Sequence, residues 1–308
     1  MHITRRDFLK HAGRSALALA AAPLVRPVSC HATAVPKTTV VAVTGERTAA
    51  TRAALAMLGG IERFVRNGSR VVLKPNMSFP HPPDRATNTH PEVVATVAKL
   101  CRDAGAAEVL VLDYPFNPPD RCLQFSGIAE ACRSLTKVYV LALTQEKFFK
   151  PHPLPRGKVL REVQLMRDVL ESDVLINLPT AKSHATTGVS LGMKGLMGII
   201  WDRRFFHARV DINQAIADLA SGVKVDLVLL DGSRALVTGG PSGPGTVTFP
   251  NTILAGTDPV AVDAVGVSLA EWYNQKIPAS GILHIAAAHQ MGLGTMLHEE
   301  ISILRKQV

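Results

Sequence analysis

Residues 182–207, KSHATTGVSLGMKGLMGIIWDRRFFH, place Lys182, His184, Lys194 and His207 in a segment that is otherwise apolar and glycine-rich. Few chemistries need those residue types together. A histidine titrating near neutrality moves protons or ligates a metal. A lysine withdrawn from water binds an anion or serves as a reactive amine, unless its stem carries the charge back to solvent. Gly188, Gly192, Gly195 and Gly198 recur at helix-like spacing and would admit a close approach of backbone or ligand. The segment is therefore either the floor of a binding or catalytic cleft or a glycine-packed helix with Lys194 reaching water.

Positioning such groups is the work of the elements around them. Apolar runs at 38–44, 70–76, 108–113, 137–143, 173–179, 226–231 and 251–257 predict strands covered on both faces. Helical patterns alternate with them at 48–65, 89–105, 258–273 and 279–292. The second opens on Thr-x-x-Glu, a capping box with Thr89 as cap, and the third on Asp258-Pro259. The alternation predicts an α/β fold with a mainly parallel sheet and helices on both faces. The loop-like stretch 150–158 would be the place for a division into two lobes; 117–121 and 238–245 also read as loops. Ligands of such sheets lie beyond the carboxyl ends of the strands. The residues there are Lys74, Asn76 and Ser78, then Asp113, then Thr180, Lys182 and His184, then Asp231 and Asp258. Asp113 and Asp231 also suit plain cap or turn roles. His90, in the first turn of a helix, suits a base, a ligand or a surface turn, whereas His284 and His289 read as packing or surface residues.

The first 34 residues read as an export signal. TRRDFLK (4–10) carries paired arginines, SALALAAAPLV (15–25) is a soft apolar run, and ATA (32–34) is a small-residue cleavage site. The apolar run is far shorter than the roughly 20 residues a helix needs to span a bilayer. Cys30 raises a lipoprotein alternative, though Pro27 stands where such signals carry leucine. The expected mature chain is 35–308, exported by the twin-arginine translocase to the periplasm or beyond, with no stable membrane span. It keeps 29 Lys and Arg against 24 Asp and Glu, a net charge of +5. No basic run interleaved with aromatics occurs, so nucleic-acid binding has no support. Cys101, Cys122 and Cys132 form neither a disulfide framework nor a CxxC pair, which argues against an iron–sulfur cluster on this chain's own thiols. Cys122 and Cys132 would be too far apart to pair if 123–134 is one helix.

VVLKPNM, TNTHPEVV, DVLINLPTAKSH, GVSLGMKGLMGII and DPVAVDAVG resemble, in order, the motifs of the bacterial and archaeal domain-of-unknown-function family 362 (DUF362), over about Val71 to Ala270. The resemblance implies a fold more than a reaction. Ferredoxin-type cysteine motifs of some members are missing here, so that role does not carry over. HATTGVSLGMKGLMGI (184–199) is also similar to the His-x-x-x-Gly-(x)5-Lys pattern, with a Pro-Gly shortly after it, of lactate-racemase-like proteins, which hold a nickel pincer nucleotide. His184, Gly188, Lys194 and Gly198 match; Met197 replaces the pattern's proline and Met193 its frequent arginine. That likeness implies His184 as a proton-transfer base, Lys194 as cofactor attachment and His207 as a nickel ligand.

The expectation for function is a cofactor- or metal-dependent enzyme transferring a proton or hydride on a small anionic substrate. His184 would be the acid/base, with Lys182 and Lys74 holding a carboxylate or phosphate. Lys194, Gly188, Gly192, Gly195 and Asn76 would face a cofactor or oxyanion. His207 and Asp231, or Asp211, would ligate a metal. The alternative is a periplasmic anion-binding or cofactor-delivery protein without turnover.

Overall fold

The computed structural model describes residues 37–201, 203 and 209–308; residues 1–34, where an export signal is expected, and His207 lie outside them. The strands are β1 (Thr38–Thr44), β2 (Arg70–Pro75), β3 (Glu108–Asp113), β4 (Val138–Ala142), β5 (Phe149–Pro153), β6 (Glu162–Met166), β7 (Val174–Leu178), β8 (Thr180–His184), β9 (Gly188–Ser190), β10 (Leu227–Leu236), β11 (Val247–Thr248), β12 (Thr252–Gly256) and β13 (Ile301–Gln307). The main sheet runs β13-β1-β12-β10-β7-β2-β3-β4, and β5 and β6 make a separate hairpin. All neighbours on that path are parallel except β12, which is antiparallel to both β1 and β10. The fold is the mainly parallel α/β sheet expected from the alternation of apolar runs.

Alternate residues of each strand feed different layers. Val41, Val43, Val71, Leu73, Val109 and Val111 pack with helices Arg47–Met57 and Pro91–Asp103 and with Ile128 and Cys132. Val40, Ala42, Val72, Leu110 and Leu112 join the opposite layer, with helices Ile212–Gly222, Pro259–Val267 and Leu283–Gln290. Two buried faces explain why these strands are continuously apolar.

Several local expectations are corrected. The helix expected at 48–65 stops at Met57, because Gly59 and Gly60 take positive φ, and Ile61–Arg63 is a single 3₁₀ turn. The condition set for Cys122 and Cys132, one helix over 123–134, is not met: the chain forms two helices there, Pro119–Ser126 and Ile128–Cys132, broken at Gly127 with φ 74°. Residues 150–158 begin as β5, and Phe149, Leu154 and Val163 bury into the second layer. The cap of helix Pro91–Asp103 is His90, whose Nδ1 accepts the Glu92 N–H at 3.2 Å, not Thr89. Proline fixes the first helical position and so makes the preceding residue the cap. Thr89 is thereby free for another task. Its hydroxyl donates to the Leu178 carbonyl at 2.6 Å and accepts the Asn76 N–H at 2.9 Å, tying the end of β7 to the loop after β2.

The segment of the opening motif is not a glycine-packed helix. Gly188, φ 74°, turns β8 into β9. Gly192–Gly195 is one isolated helical turn, followed by the 3₁₀ turn Leu196–Ile199.

Candidate functional site

Because β2, β3 and β7 run parallel, their carboxyl ends deliver Lys74, Asp113 and the β8 extension to one rim. Lys74, Lys182, His184, Lys194 and Arg203 line a cleft of about 1340 Å³, walled by Phe79, Tyr114, Phe116 and Trp201. Asn76 and Gly195 also line it. No Asp or Glu does so among the described residues.

The three lysines differ in what holds them. Lys74 Nζ meets Asp113 Oδ1 at 3.0 Å and donates to the Pro75 carbonyl. The other oxygen of Asp113 accepts the Met77 N–H at 2.8 Å and the Ser78 hydroxyl at 3.1 Å. Lys182 Nζ donates to Asn76 Oδ1 at 3.1 Å and the Thr87 carbonyl at 2.6 Å, and lies 4.6 Å from the centre of the Phe79 ring. Lys194 is 9% exposed, and its amine has no hydrogen-bond or ion-pair partner among the described residues. Arg203 stacks 4.1 Å above Tyr114 and donates to the Pro115 carbonyl at 2.8 Å.

Burial disfavours each of these charges, and their mutual repulsion adds to it. Burial pulls Lys74 below its ordinary value; Asp113 opposes the pull and Arg203 adds to it. Burial, then Lys194, pulls Lys182 well below its ordinary value. Lys194 falls to about 8, from burial first and Arg203 second. Behind it, His284 is buried with both ring nitrogens unpartnered among the described residues. Burial, then Lys194, takes that imidazole down to about 3.

Lys194 is held by its turn. Asp263, on helix Pro259–Val267, accepts the Gly192 and Met193 N–H groups at 2.7 and 2.9 Å, and the Asn177 amide donates to the Gly192 carbonyl. Burial pushes Asp263 up to about 7. Gly192 thus serves the turn's anchor and not the cleft: a Cβ there would meet Asp263 Oδ1 at 2.7 Å. Gly188 abuts Ile282, away from the cleft lining. Gly198 sits over the Lys74–Asp113 pair, where a Cβ would lie 2.1 Å from Asp113 Oδ1.

His184 Nδ1 accepts the N–H groups of Thr186 and Thr187 at 3.2 and 3.3 Å, which puts the proton of the neutral ring on Nε2. The geometry makes the imidazole a donor in its neutral form and restricts the expected base role.

Asp231 is committed elsewhere. Its oxygens accept from Ser233 Oγ at 2.6 Å, His90 N–H at 2.8 Å and Arg234 at 2.9 Å. A register shift between Asp231 and Ala235 brings Arg234 back to the same carboxylate. A metal-ligand role for Asp231 would break that set. Among the described residues no three His, Cys, Asp or Glu side chains converge for a metal. Asp211 caps helix Ile212–Gly222. The described residues therefore offer an amine and cations to a nickel-bearing cofactor but no converging ligand set.

Sequence reasoning missed Arg203 and the Tyr114–Trp201 stack, whose rings lie 5.3 Å apart at 11°. Only the position of Tyr114 directly after a strand-end aspartate hinted at it. Cys101, Cys122 and Cys132 are buried free thiols, pushed up to about 12, 11 and 11 by burial.

An α/β sheet whose strand ends build a cationic, aromatic-walled cleft defines the class. Residues 71–268 match the family described as domain of unknown function (DUF362), and the chain belongs to that family. A thylakoid-associated protein, sll1697, of Synechocystis sp. is 30% identical over 256 residues, covering 81% of this chain and 76% of that protein. The lactate racemase apoprotein of Thermoanaerobacterium thermosaccharolyticum aligns with a TM-score of 0.48 at 14% identity, over 74% of this chain and 57% of that one. A Thermotoga maritima protein aligns with a TM-score of 0.42 at 14% identity, over 66% and 55%. The chain spans little more than half the length of either solved structure. Among the described residues no helix is long and apolar enough to cross a membrane.

Proposed function

We propose that the cleft binds a small organic anion and serves proton transfer on it. The observation that carries this is the charge imbalance: Lys74, Lys182, Lys194 and Arg203 line a cleft that no described carboxylate lines, and Asp113 beneath it, ion-paired to Lys74, is one carboxylate against four cations. Buried cations in excess are costly, and an incoming anion offsets that cost while drawing the lysines back to their charged forms. Tyr114 and Trp201 suit the apolar part of the ligand. Neutral lysine amines supply base character, and the His184 Nε2–H is a donor to developing negative charge. Calorimetry with oxalate, pyruvate and phosphate at pH 8, in buffers of different ionisation heat, tests the reading. The expected outcome is binding coupled to proton uptake; binding without uptake, or none, overturns it.

A second reading, a binder without turnover, draws support from the engagement of His184 Nδ1 by two backbone N–H groups. Anion binding by the wild type with no catalysed exchange of substrate protons with solvent, and affinity unchanged in His184→Gln, would favour it. We further propose export by the twin-arginine route, on the strength of TRRDFLK and the run after it. Fractionation of the wild type and of Arg5→Lys/Arg6→Lys tests that, with the double variant retained in the cytoplasm.

A further inference from the structure

The three cleft lysines are not equivalent as chemical groups. Lys74 is spent on Asp113 and the Pro75 carbonyl. Lys182 aims its N–H bonds at Asn76 Oδ1 and the Thr87 carbonyl and presents itself to the Phe79 ring, the arrangement of a donor. Lys194 alone of the three has no acceptor to donate to among the described residues, and it lines the same open space. Its turn is pinned by Asp263 and Asn177, so the amine is presented from a fixed base. An amine flanked by other cations in an apolar pocket is the setting in which lysine attacks carbonyl carbon.

We propose that Lys194 is a nucleophilic amine that forms an imine with a 2-oxo acid, its carboxylate held by Lys182 and Arg203 and its carbonyl carbon presented to Nζ. This deepens the anion-binding reading and rests on it. The neutral nitrogen's lone pair forms the C–N bond as the carbonyl π pair moves to oxygen. The nitrogen's protons pass to that oxygen, which leaves as water, and the C=N bond closes. One amine and one ketone become one imine and one water, with no oxidant or reductant. Among the described residues, the charged and titratable groups coupled to Nζ are Lys182 from β8, Arg203 beyond the turn Leu196–Ile199 and neutral His284 from helix Leu283–Gln290, and Lys74 and His184 line the same cleft.

The test is trapping of the full exported chain with pyruvate and cyanoborohydride, whose hydride reduces the C=N bond to a secondary amine. Intact mass and peptide mapping locate the adduct, and calorimetry with pyruvate and with propanoate measures binding alone. One adduct on the Lys194 peptide, absent in Lys194→Arg, retained in the variant of an exposed lysine outside the cleft, Lys276→Arg, and suppressed by excess propanoate, supports the proposal. The trapping rate is expected to rise about tenfold per pH unit below about 8, following the neutral fraction. Binding of pyruvate and propanoate without an adduct overturns the imine and leaves the anion reading standing. An adduct spread over surface lysines also overturns it. Loss of both binding and adduct overturns both.

Discussion

Around Asp231 every charge has a partner; around Lys194 the charges repel. Asp231 receives two side chains and two backbone N–H groups, and Arg234 donates to it and to the carbonyls of Pro83 and Asn88. Elsewhere on the same rim, Lys194 helps burial to depress Lys182, and Arg203 helps burial to depress Lys194. A closed set of buried charges is architecture. An open set is a demand for a ligand, and it is the open set that has access to solvent through the cleft.

The largest test of that contrast is Asp231→Ala. Leaving Arg234 buried and unpaired should cost ~3–5 kcal/mol in urea unfolding, with no rescue by added anions. Loss of a bound metal without loss of stability would instead reinstate Asp231 as a ligand. Lys194→Met should do the opposite. Lys194 titrates at about 8 in the fold against 10.5 ordinarily. The unfolded chain therefore holds the proton more tightly between those values, and the penalty on the fold is complete below 8 and gone above 10.5. The variant should gain roughly 3 kcal/mol near pH 7, a gain that fades on titration towards the upper value. A gain that does not change with pH would mean that the amine is solvated. Next in size, a bound anion at a hundred times its Kd should stabilise the wild type by about 2.7 kcal/mol in thermal melts and Lys194→Met by less. Smallest is His90→Ala, a cap loss of about 1 kcal/mol, which should leave anion binding unchanged.

The sequence made the sheet legible where strands are buried on both faces, because Val71, Leu73, Val109 and Val111 have no polar interruptions. It hid β8, since TAKSH is polar yet wholly buried, and its Lys182 is satisfied by Thr87 and Asn76, 95 and 106 positions away. It hid β5 behind Pro151 and Pro153, which a free-standing hairpin tolerates. Lys74, Lys182 and Lys194, which line the cleft, were readable as rim residues because strand ends and tight turns announce themselves locally. Arg203 was not: its acceptor, Pro115, is 88 residues distant, and only the fold brings them together. Asp231 lay at a strand end like Asp113, but Arg234 three residues on, returned by the shift in register, claims it.

Gly198 turns this geometry into a rule about thickness. The main chain crosses the rim so low that a hydrogen is all that fits between it and the ion pair below, while its carbonyl receives the Tyr114 N–H at 2.8 Å. One methyl group there would act as a wedge, prising Lys74 from Asp113 beneath and lifting the aromatic wall above in the same stroke. The floor and the wall of the cleft are therefore hinged on a single atom's width and can be disturbed only together.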